Sequence, residues 1–288
     1  MGTRALAAAV PSLSCPVCGA SMSLRGGELA CGRGHSFDVA RHGYVNLSAG
    51  AAGPGTADSA AMVAAREHFL GRGHYRPIAA ALRSLATRYD RGGPGLAVDL
   101  AGGTGYYLAE ILDGLPSRDG LCVDLSVPAL RRAARSHPRT AAVGADVWHR
   151  LPLRTDSAAL VMSVFGPRNA AEIDRVLSPD GTFIIAAPGP PHLRELREPL
   201  GTIGVDPGKP QRLADAFGDY LTADVTSVHY RLELDHPDLT ALVAMGPSAR
   251  HITPQALAAR VRELPVPVTV TVDLQIRAFR RERAGAPW

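Results

Sequence analysis

From residue 96 onwards, short apolar runs alternate with longer segments in which apolar and polar residues recur at helical spacing. The apolar runs have strand length and occupy residues 96–100, 120–124, 141–146, 160–164 and 182–187. Strands separated by helices in this way indicate βαβ units, whose strands are parallel and covered by helices. The pattern therefore predicts an α/β fold with a doubly wound sheet, in which ligands bind at the carboxyl ends of the strands.

The last third of the chain carries two longer strand-like segments, at residues 225–234 and 266–279, of which the second alternates and is rich in β-branched residues. These two segments suit an antiparallel hairpin that closes the sheet. Residues 239–260, which lie between them, read as helical in parts and are expected to form a wall of the substrate cleft.

The pattern before residue 96 is different. Residues 49–56 are small residues and indicate a flexible linker. From Asp58 onwards the pattern turns helical, with Asp58 or Ser59 as the N-cap and with Met62 and Phe69 among its apolar positions.

Charge changes this picture only locally. The 288 residues carry 31 basic and 27 acidic side chains, a net charge of +4. The sequence has no run of 18 uncharged apolar residues, which excludes a membrane span and a membrane partner. Residues 59–95 hold six arginines and two acidic residues. This cluster is either a solvated helix face or an electrostatic footprint for phosphate, and charge alone does not separate the two.

Three of the four cysteines lie close together near a histidine. Cys15 and Cys18 form a CxxC knuckle, and Cys31 with His35 supplies a second pair after twelve intervening residues. Structural Zn²⁺ prefers four thiolate or imidazole ligands in a tetrahedron, so this spacing predicts one structural zinc ion. A redox CxxC is the alternative, but such motifs follow a strand and precede a helix, a context that Cys15 lacks. This use of cysteine indicates a reducing, cytoplasmic location.

The segment after His35 is expected to complete the zinc module, because a unit of this size cannot build a sufficient core of its own. Five apolar residues are enough to cap the knuckles: Phe37, Val39, Tyr44, Val45 and Leu47. The patterns divide the chain into a zinc module at residues 1–48, a linker and basic helical segment at 49–95, and a cofactor-binding domain at 96–288.

The turn after the first predicted strand is rich in glycine and begins with an acid, from Asp99 through Gly102 to Gly105. NAD enzymes show G-x-G-x-x-G, with pyrophosphate on the helix N-terminus. The different spacing and the acid favour S-adenosylmethionine, a cationic cofactor. Asp124 ends the second strand, where a carboxylate can hold a ribose diol. Asp146, after the third strand, either accepts from the adenine amino group or caps its loop.

Two further residues follow predicted strands near the expected cleft. Phe165, after the fourth strand, is either a core residue or a stacking surface for a target base. His192, after the fifth strand, is either an ordinary loop residue or part of the site. No general base stands out, and Asp146, His192 and water all stay open. The arginines of the helix after the second strand are interpreted as a solvated face; they are Arg131, Arg132 and Arg135.

These motifs, taken in order, resemble one family. They are Cys15-x-x-Cys18, Cys31-x-x-x-His35, Phe37-Asp38, Gly43-Tyr44-Val45-Asn46-Leu47, Phe69-Leu70, Gly73-His74-Tyr75, the turn at 99–107, and Pro188-Gly-Pro with His192-Leu193. Over almost its whole length the chain is similar to the RlmA-type 23S rRNA guanine-N1 methyltransferases. The resemblance implies a zinc-ribbon-like domain that recognises RNA, followed by a class I (Rossmann-like) S-adenosylmethionine-dependent methyltransferase domain. The implied substrate is a guanine in the hairpin 35 region of 23S rRNA, and one branch of the family confers resistance to macrolides such as tylosin.

The resemblance also implies roles for individual residues. The family's zinc ligands correspond to Cys15, Cys18, Cys31 and His35, and its S-adenosylmethionine contacts correspond to Tyr75, Gly105, Tyr106 and His192. Thr104 departs from the family pattern, which has an acid there, so a contact to the amino-acid end of the cofactor is expected to differ. We also expect the zinc module and the basic segment to grip the RNA hairpin together, with Arg66, Arg72 and Arg76 as contacts.

Two other functions stay open from the sequence. A small-molecule (natural-product) methyltransferase would use the same cofactor half, although such enzymes rarely carry a Cys₃His knuckle in front of it. A non-catalytic RNA-binding protein on this fold would not bind S-adenosylmethionine saturably. The sequence leaves the oligomeric state open, a homodimer included.

Overall fold

The computed structural model describes residues 2–48, 57–206, 217–218 and 220–281. Its helices α1 to α9 are Gly2–Ala9, Ala60–Gly71, Arg76–Tyr89, Tyr106–Gly114, Val127–Ser136, Ala170–Val176, Arg197–Leu200, His236–Ala244 and Pro254–Arg262. Its strands β1 to β11 are Met22–Arg25, Glu28–Cys31, Ser36–Asp38, Tyr44–Asn46, Leu96–Leu100, Gly120–Asp124, Thr140–Gly144, Ala158–Val164, Leu177–Pro188, Tyr220–Leu234 and Val268–Arg281. The predicted linker at residues 49–56 lies outside the described residues.

Within the described part of the chain, eight strands form one mixed sheet in the order β10-β11-β9-β8-β5-β6-β7-β4. The strands from β9 to β4 run parallel, and β10 and β11 add an antiparallel hairpin at one edge. All the strands predicted from the apolar runs are present, although β8 and β9 begin earlier than predicted. The predicted α/β fold class is therefore confirmed.

Apolar layers cover both faces of this sheet. The central strand β5 is buried along its whole length. Its Ala97 packs on one face with apolar residues of α3, α4 and α5, and its Val98 packs on the other face with residues of α1, α6 and the zinc module. A strand that is buried on both faces must be apolar at nearly every position. Asp99 is the exception within β5: it is a buried, ionisable residue in an otherwise apolar strand, which makes it a candidate for the functional site.

Strand β4 joins the zinc module to the large sheet, because it pairs in parallel with β7, with Val45 opposite Val143. Of the residues expected to cap the zinc knuckles, Val45 and Leu47 are buried in the same apolar layer as Cys15 and Cys31, whereas Tyr44 packs in the layer on the other face of the sheet. The layer that contains Val45 and Leu47 also covers one face of the eight-stranded sheet. The physical reason is that β7 would otherwise present an unpaired edge. The division at residue 48 stays a prediction, and the first segment is hydrogen-bonded into the sheet of the last.

Helix α1 is not predicted by the sequence pattern, in which only a short apolar stretch, residues 5–10, marks this region. Ala5, Leu6 and Ala9 are buried, and the helix packs against β6 and β7. These three positions, at i, i+1 and i+4, form one narrow apolar face. A single helix of eight residues is too short for that periodicity to stand out from its alanine-rich surroundings.

Helix α2 begins where the pattern predicted. Of the two candidate N-caps it is Ser59 whose side chain accepts a hydrogen bond from the backbone N–H of Met62, at 3.2 Å. Asp58 instead forms a salt bridge with Arg66. None of the helices in the described ranges combines the length and the apolarity needed to cross a membrane.

Candidate functional site

The four predicted zinc ligands lie together at the N-terminal end of the chain. The potential ligand atoms of Cys15, Cys18, Cys31 and His35 all lie within 4.8 Å of one another. Cys18 Sγ is 3.7 Å from Cys31 Sγ, and His35 Nδ1 is 3.4 Å from Cys31 Sγ and 3.6 Å from Cys15 Sγ. A tetrahedral zinc ion with ordinary bond lengths has S···S edges of about 3.8 Å and S···N edges of about 3.6 Å. The cluster therefore fits a zinc ion.

Backbone geometry explains how the two knuckles form. Gly19 follows the first knuckle with φ +72° and donates its N–H to the Cys15 carbonyl at 2.8 Å. Gly34, with φ +84°, donates to the Cys31 carbonyl at 3.1 Å. Positive φ is accessible to glycine without strain, so each tight turn depends on a glycine. These turns aim the four side chains at one point.

A second candidate site lies at the carboxyl ends of the parallel strands, as the sequence predicted. It is a cavity of about 730 Å³. The strand order places its residues in a row, with Asp146 after β7, Asp124 at the end of β6, Asp99 in β5, Phe165 after β8 and His192 after β9. The three acids therefore occupy one half of the row, and the two aromatic residues occupy the other half.

Most predicted site residues line this cavity. They are Tyr75, Asp99, Gly102, Tyr106, Asp124, Asp146, Phe165 and His192, and Arg66 lines it as well. Gly105 does not line it. It caps α4 with φ +76°, and a Cβ there would lie 2.6 Å from Ser136 Oγ and 3.1 Å from Ala133 Cα. Its glycine is needed for the left-handed turn and the close approach of α5, and its contact with the cofactor stays a prediction.

Asp99 carries the strongest chemical signal in the cavity. It is 1% exposed, and neither of its carboxylate oxygens has a hydrogen-bond partner among the described residues. Burial, reinforced by the charge of Asp124, raises the pKa of Asp99 well above its usual range. An unsatisfied buried carboxyl is costly unless a ligand completes it. A cationic cofactor such as S-adenosylmethionine fits this group.

The glycine turn above Asp99 is shaped by close contacts. A Cβ on Gly102 would lie 2.6 Å from Asp99 Oδ2 and 2.7 Å from Cys122 Sγ, so only glycine fits there. The N–H of Gly103 donates to Asp124 Oδ2 at 2.8 Å, and the N–H of Ser126 donates to Asp124 Oδ1 at 2.7 Å. Both oxygens of Asp124 are fixed by these bonds, and each keeps a lone pair for a diol.

Asp146 lies at the end of the row opposite His192. Its Oδ1 accepts a hydrogen bond from the backbone N–H of Trp148 at 2.9 Å, which makes it a loop cap. It also lines the cavity, so the two roles left open by the sequence are compatible. Trp148 itself is 63% exposed beside the same cavity and gave no signal in the sequence pattern.

Three rings form a row at the other end of the cavity. The centroid of Phe165 lies 6.0 Å from that of Tyr75 and 5.8 Å from that of His192, with interplanar angles of 26° and 32°. Phe165 has φ +57° and is 36% exposed, whereas Tyr75 is buried. A non-glycine residue at positive φ carries backbone strain, which concentrates at functional sites. The core interpretation of Phe165 therefore fits less well than the surface interpretation.

His192 presents a defined tautomer. Burial lowers its pKa to about 4, so the ring is neutral near pH 7. Its Nδ1 accepts the backbone N–H of Asp273 at 3.3 Å, and a backbone N–H can only donate. The ring proton must then reside on Nε2. His192 therefore offers a hydrogen-bond donor, and its role as a general base would require a change of tautomer.

The predicted RNA contacts at Arg66 and Arg72 do not lie on a free positive surface. Arg66 Nη1 is 2.7 Å from Asp58 Oδ2, and its Nη2 donates to the Met245 carbonyl at 2.9 Å. Arg72 Nε is 3.4 Å from Asp238 Oδ2. Arg76 is exposed. The cluster of six arginines is thus partly neutralised by acids that follow or precede it in sequence, and the RNA contacts of the three stay a prediction.

The cavity also has walls that the sequence predicts only in part. Its lining includes residues 202–206, 242–243 and 245–248, together with Asp58 and Arg250. The segment at 242–248 lies within the stretch expected to form a wall of the substrate cleft. No periodicity or motif marks residues 202–206, because their position depends on contacts such as that between the Ile203 N–H and Ser248 Oγ, at 3.1 Å.

Known proteins match this chain both in its first segment and over most of its length. Residues 13–48 match the zinc-ribbon family described as RlmA, N-terminal. The chain is 45% identical to a Micromonospora griseorubida protein named as a 23S rRNA (guanine-N(1)-)-methyltransferase, over 94% of this chain and 98% of that one. It is 43% identical to the 23S rRNA (guanine(748)-N(1))-methyltransferase of Streptomyces fradiae, over 93% of this chain and 96% of that one.

A solved structure adds support for the fold alone. The YcgJ protein of Bacillus subtilis matches with a TM-score of 0.50 at 14% identity, and the match covers 71% of this chain and 100% of that one. The two relatives above 40% identity align over more than nine tenths of both chains. The protein therefore belongs to the RlmA-type family of 23S rRNA guanine-N1 methyltransferases.

Proposed function

We propose that the protein methylates N1 of a guanine in 23S rRNA, with S-adenosylmethionine as methyl donor. The proposed target lies in the hairpin 35 region, at the position equivalent to the guanine 748 named for the Streptomyces fradiae relative. The observation that carries the proposal is the pairing of β4 with β7, which joins the zinc module to the strand that leads to Asp146. A small-molecule enzyme needs only the cavity, whereas an rRNA enzyme needs a second surface held at a fixed distance from it.

The proposed cofactor site follows the strand order. Asp146 would accept from the adenine amino group, Asp124 would hold the ribose hydroxyls, and Asp99 beneath Gly102 would face the cationic amino-acid end. The remaining proposed contacts are Tyr75, Gly105, Tyr106 and His192. When bound, S-adenosylmethionine supplies an electrophilic methyl group on a sulfonium, which an aligned nitrogen can displace. The contribution of the protein is then alignment in a shielded cavity.

The proposed zinc site has a structural role. Three thiolates, one neutral imidazole and one Zn²⁺ sum to a net charge of −1, so the ion itself does not attract phosphate. Cys15 and Cys31 are buried in the layer that also contains Val45 and Leu47. Zinc binding therefore stabilises a small segment that continues directly into a strand of the catalytic sheet.

The acceptor half of the cavity suits a flipped base. Guanine N1 is engaged in Watson–Crick pairing, so the base must be unpaired or rotated out before it can react. Phe165 is proposed to stack on the guanine, since exposed aromatic rings hold splayed bases in this way. As the N1–methyl bond forms and the methyl–sulfur bond breaks, the N1 proton must leave. In its present tautomer His192 donates a hydrogen bond, and Asp146 lies at the adenine end of the row, which leaves water to take that proton.

A direct assay tests the proposal. The full-length protein is incubated with tritiated S-adenosylmethionine and unmodified 23S rRNA, and primer extension is then run across hairpin 35. The expected result is a reverse-transcription stop at one guanine in that hairpin, together with label in the rRNA. Label that appears only in small molecules would refute the rRNA assignment and favour the natural-product alternative.

Three finer points belong to the same proposal. Methylation at this position would confer resistance to tylosin-type macrolides, which growth of a susceptible strain that expresses the protein would test. The proposed location is the cytoplasm, which the rRNA substrate and the reduced zinc-ligand cysteines support. A homodimer is the proposed oligomeric state, and light scattering of the purified protein measures it.

A further inference from the structure

The turn between β3 and β4 brings two basic side chains to the edge of the sheet. Arg41 is exposed, and its Nε donates to His42 Nε2 at 3.2 Å. This turn leads directly into β4, which packs beside α5. The zinc module therefore presents a cationic group at the seam with the catalytic domain.

Helix α5 presents two more arginines at the same seam. Arg131 and Arg135 are exposed and lie four residues apart, so they share one face of the helix. Arg135 Nε donates to the Arg131 carbonyl at 3.0 Å. The charges of Arg131 and Arg135 also act on the turn. Burial lowers the pKa of His42, and the charges of Arg41, Arg135 and Arg131 lower it further. Two segments that are distant in sequence thus converge on one basic patch, defined here as Arg41, Arg131 and Arg135.

This basic patch is not neutralised within the part of the chain that the structure describes. No carboxylate there lies within salt-bridge distance of its three guanidinium groups, and Asp38, three residues before Arg41, does not pair with it. The neighbouring Arg132 behaves differently, with its Nε 2.7 Å from Glu67 Oε2. In the segment at 59–95, by contrast, four of the six arginines have acidic partners: Arg66, Arg72, Arg83 and Arg88.

Three exposed like charges that converge without a counter-charge are unfavourable for the isolated protein. A polyanion removes this repulsion, and guanidinium groups match phosphate oxygens in a bidentate geometry. We propose that Arg41, Arg131 and Arg135 bind successive phosphates of the substrate RNA strand. This inference rests on the proposed function. It assigns the main phosphate contacts to the seam between the zinc module and α5, and not to the segment at 59–95.

The place of the patch suits such a strand. Ser126, the N-cap of α5, donates its N–H to Asp124 in the cavity. At 1.5 Å per residue, Arg131 and Arg135 lie about 8 and 14 Å along the helix from that point. The proposed base site at Phe165 lies two strands further along the sheet, about 10 Å from Asp124. The phosphates at this helix face would therefore belong to nucleotides several positions away from the flipped guanine along the RNA strand.

The test compares two charge-matched double variants of the full chain. Arg131→Gln with Arg135→Gln removes two charges from the patch. Arg83→Gln with Arg88→Gln removes two charges from α3, where Glu110 and Asp224 already pair with them. Binding of an unmodified hairpin 35 transcript is measured by fluorescence anisotropy from 50 to 300 mM KCl, chosen as roughly the range in which counterion release dominates.

The patch variant is expected to bind at least about 10-fold more weakly at low salt. Its slope of log affinity against log salt is expected to shrink by about 1.4 to 1.8, from about 0.7 to 0.9 per lost phosphate contact. The α3 variant is expected to keep the wild-type slope. Equal slopes in all three proteins would overturn the inference, and so would an equal loss in the α3 variant.

Two further measurements keep the result unambiguous. S-adenosylmethionine affinity and thermal unfolding of the patch variant should match those of wild type, since both arginines are exposed. If that variant does not fold, Arg41→Gln alone tests the patch from the turn, with an expected slope change of about 0.7 to 0.9. Absence of methylation by wild-type protein would refute the proposed function, whereas normal methylation with an unchanged slope would refute only the patch.

Discussion

Arg66 Nη1 lies 2.7 Å from Asp58 Oδ2, within the wall of the cofactor cavity. The same guanidinium donates through Nη2 to the carbonyl of Met245, just after α8. Arg250 Nη2 lies 3.6 Å from the other carboxylate oxygen of Asp58, Oδ1. One arginine of the basic segment therefore ties the start of α2 to the end of α8 across the cavity, and we infer that it shapes the cofactor site.

Replacing Arg66 should weaken cofactor binding. In Arg66→Gln the salt bridge and the bond to Met245 are lost, and with about 1 kcal/mol for each part-buried bond the affinity for S-adenosylmethionine should fall by roughly 5- to 30-fold. Isothermal titration calorimetry measures this change. Arg83→Gln is the matched control, because Arg83 lies 3.9 Å from its partner Glu110 and is half exposed. An unchanged cofactor affinity in Arg66→Gln would contradict this role.

The partners of Arg66 are an example of what the sequence could not predict. The alternation of apolar runs predicted the strands of the sheet and hence the position of the cavity, because periodicity is a local property. The partners of Arg66 and Arg72 are not local. Asp238 lies more than 160 residues from Arg72, so a count of charges in a window could not reveal that the window is neutralised from elsewhere.

The zinc module illustrates the same limit. Its four metal ligands could be predicted, since two pairs of ligands at short, fixed spacing indicate one tetrahedral site. The pairing of Tyr44 with Ala142 could not be predicted, because a strand of three residues has too short a pattern to indicate which strand it pairs with. Chemistry that depends on short spacing was therefore predictable, and the seam between the units was not.

Asp99 should couple cofactor binding to proton release. With its pKa raised by burial, this carboxyl is protonated in the cofactor-free protein at pH values where an ordinary aspartate is ionised. A bound cation favours the carboxylate, so binding releases a proton, and the affinity should rise with pH until the pH exceeds the raised pKa. Calorimetry in buffers of different ionisation enthalpy measures the released proton. Asp99→Asn should abolish this release. It should also lower the affinity about 10- to 150-fold, because a charge-assisted hydrogen bond worth about 1.5–3 kcal/mol is lost.

The same substitution should not destabilise the fold. A folded-state pKa raised above the unfolded value of about 3.9 means that stability is lost as the pH rises from there through the raised pKa. Asn at this position does not ionise, so the cofactor-free Asp99→Asn protein should be at least as stable as wild type near pH 7. Urea unfolding at pH 5 and pH 7 tests this, and a large loss of stability in the variant would show that Asp99 is a structural residue.

Loss of one zinc ligand should release the metal and loosen the first segment. In Cys18→Ser the tetrahedron lacks one thiolate, so zinc measured by elemental analysis should fall from one per chain to well below one, and the melting temperature should drop. Cys122→Ala is the control, because that buried cysteine lies beside Gly102 and far in sequence from the knuckles. Retention of a full equivalent of zinc by Cys18→Ser would exclude the four-ligand site.

Asp238 should stabilise the turn that carries Tyr75. Its carboxylate lies 2.7 Å from His74 Nε2 and 3.2 Å from His68 Nε2, and it is buried. Burial alone would raise its pKa, but the hydrogen bond and charge of His74, the charge of Arg72 and the bond from His68 outweigh burial and lower it. Its contribution to stability is therefore present above the usual carboxyl pKa and is lost as the pH falls through the lowered one.

Asp238→Asn should cost about 1–3 kcal/mol of unfolding free energy at pH 7, because a hydrogen-bonded buried charge is removed. The difference from wild type should shrink in acid, as the wild-type carboxyl becomes protonated. Asp224→Asn is the control, since Asp224 pairs with a largely exposed Arg88 and should cost less than about 1 kcal/mol. Equal losses in the two variants, or a loss that does not depend on pH, would argue against the cluster around Asp238.

Phe165 should act on the RNA substrate and not on the cofactor. Its ring lies between those of Tyr75 and His192 at the acceptor end of the cavity. Phe165 is exposed, whereas Tyr75 is buried. Stacking of one base on an aromatic ring is worth about 1–3 kcal/mol, so Phe165→Leu should lower kcat/KM for rRNA about 5- to 150-fold. Phe165→Tyr keeps the ring and should retain most of the activity. Affinity for S-adenosylmethionine should be equal in both variants, and a matched loss of cofactor affinity in Phe165→Leu would show that the ring supports the cofactor instead.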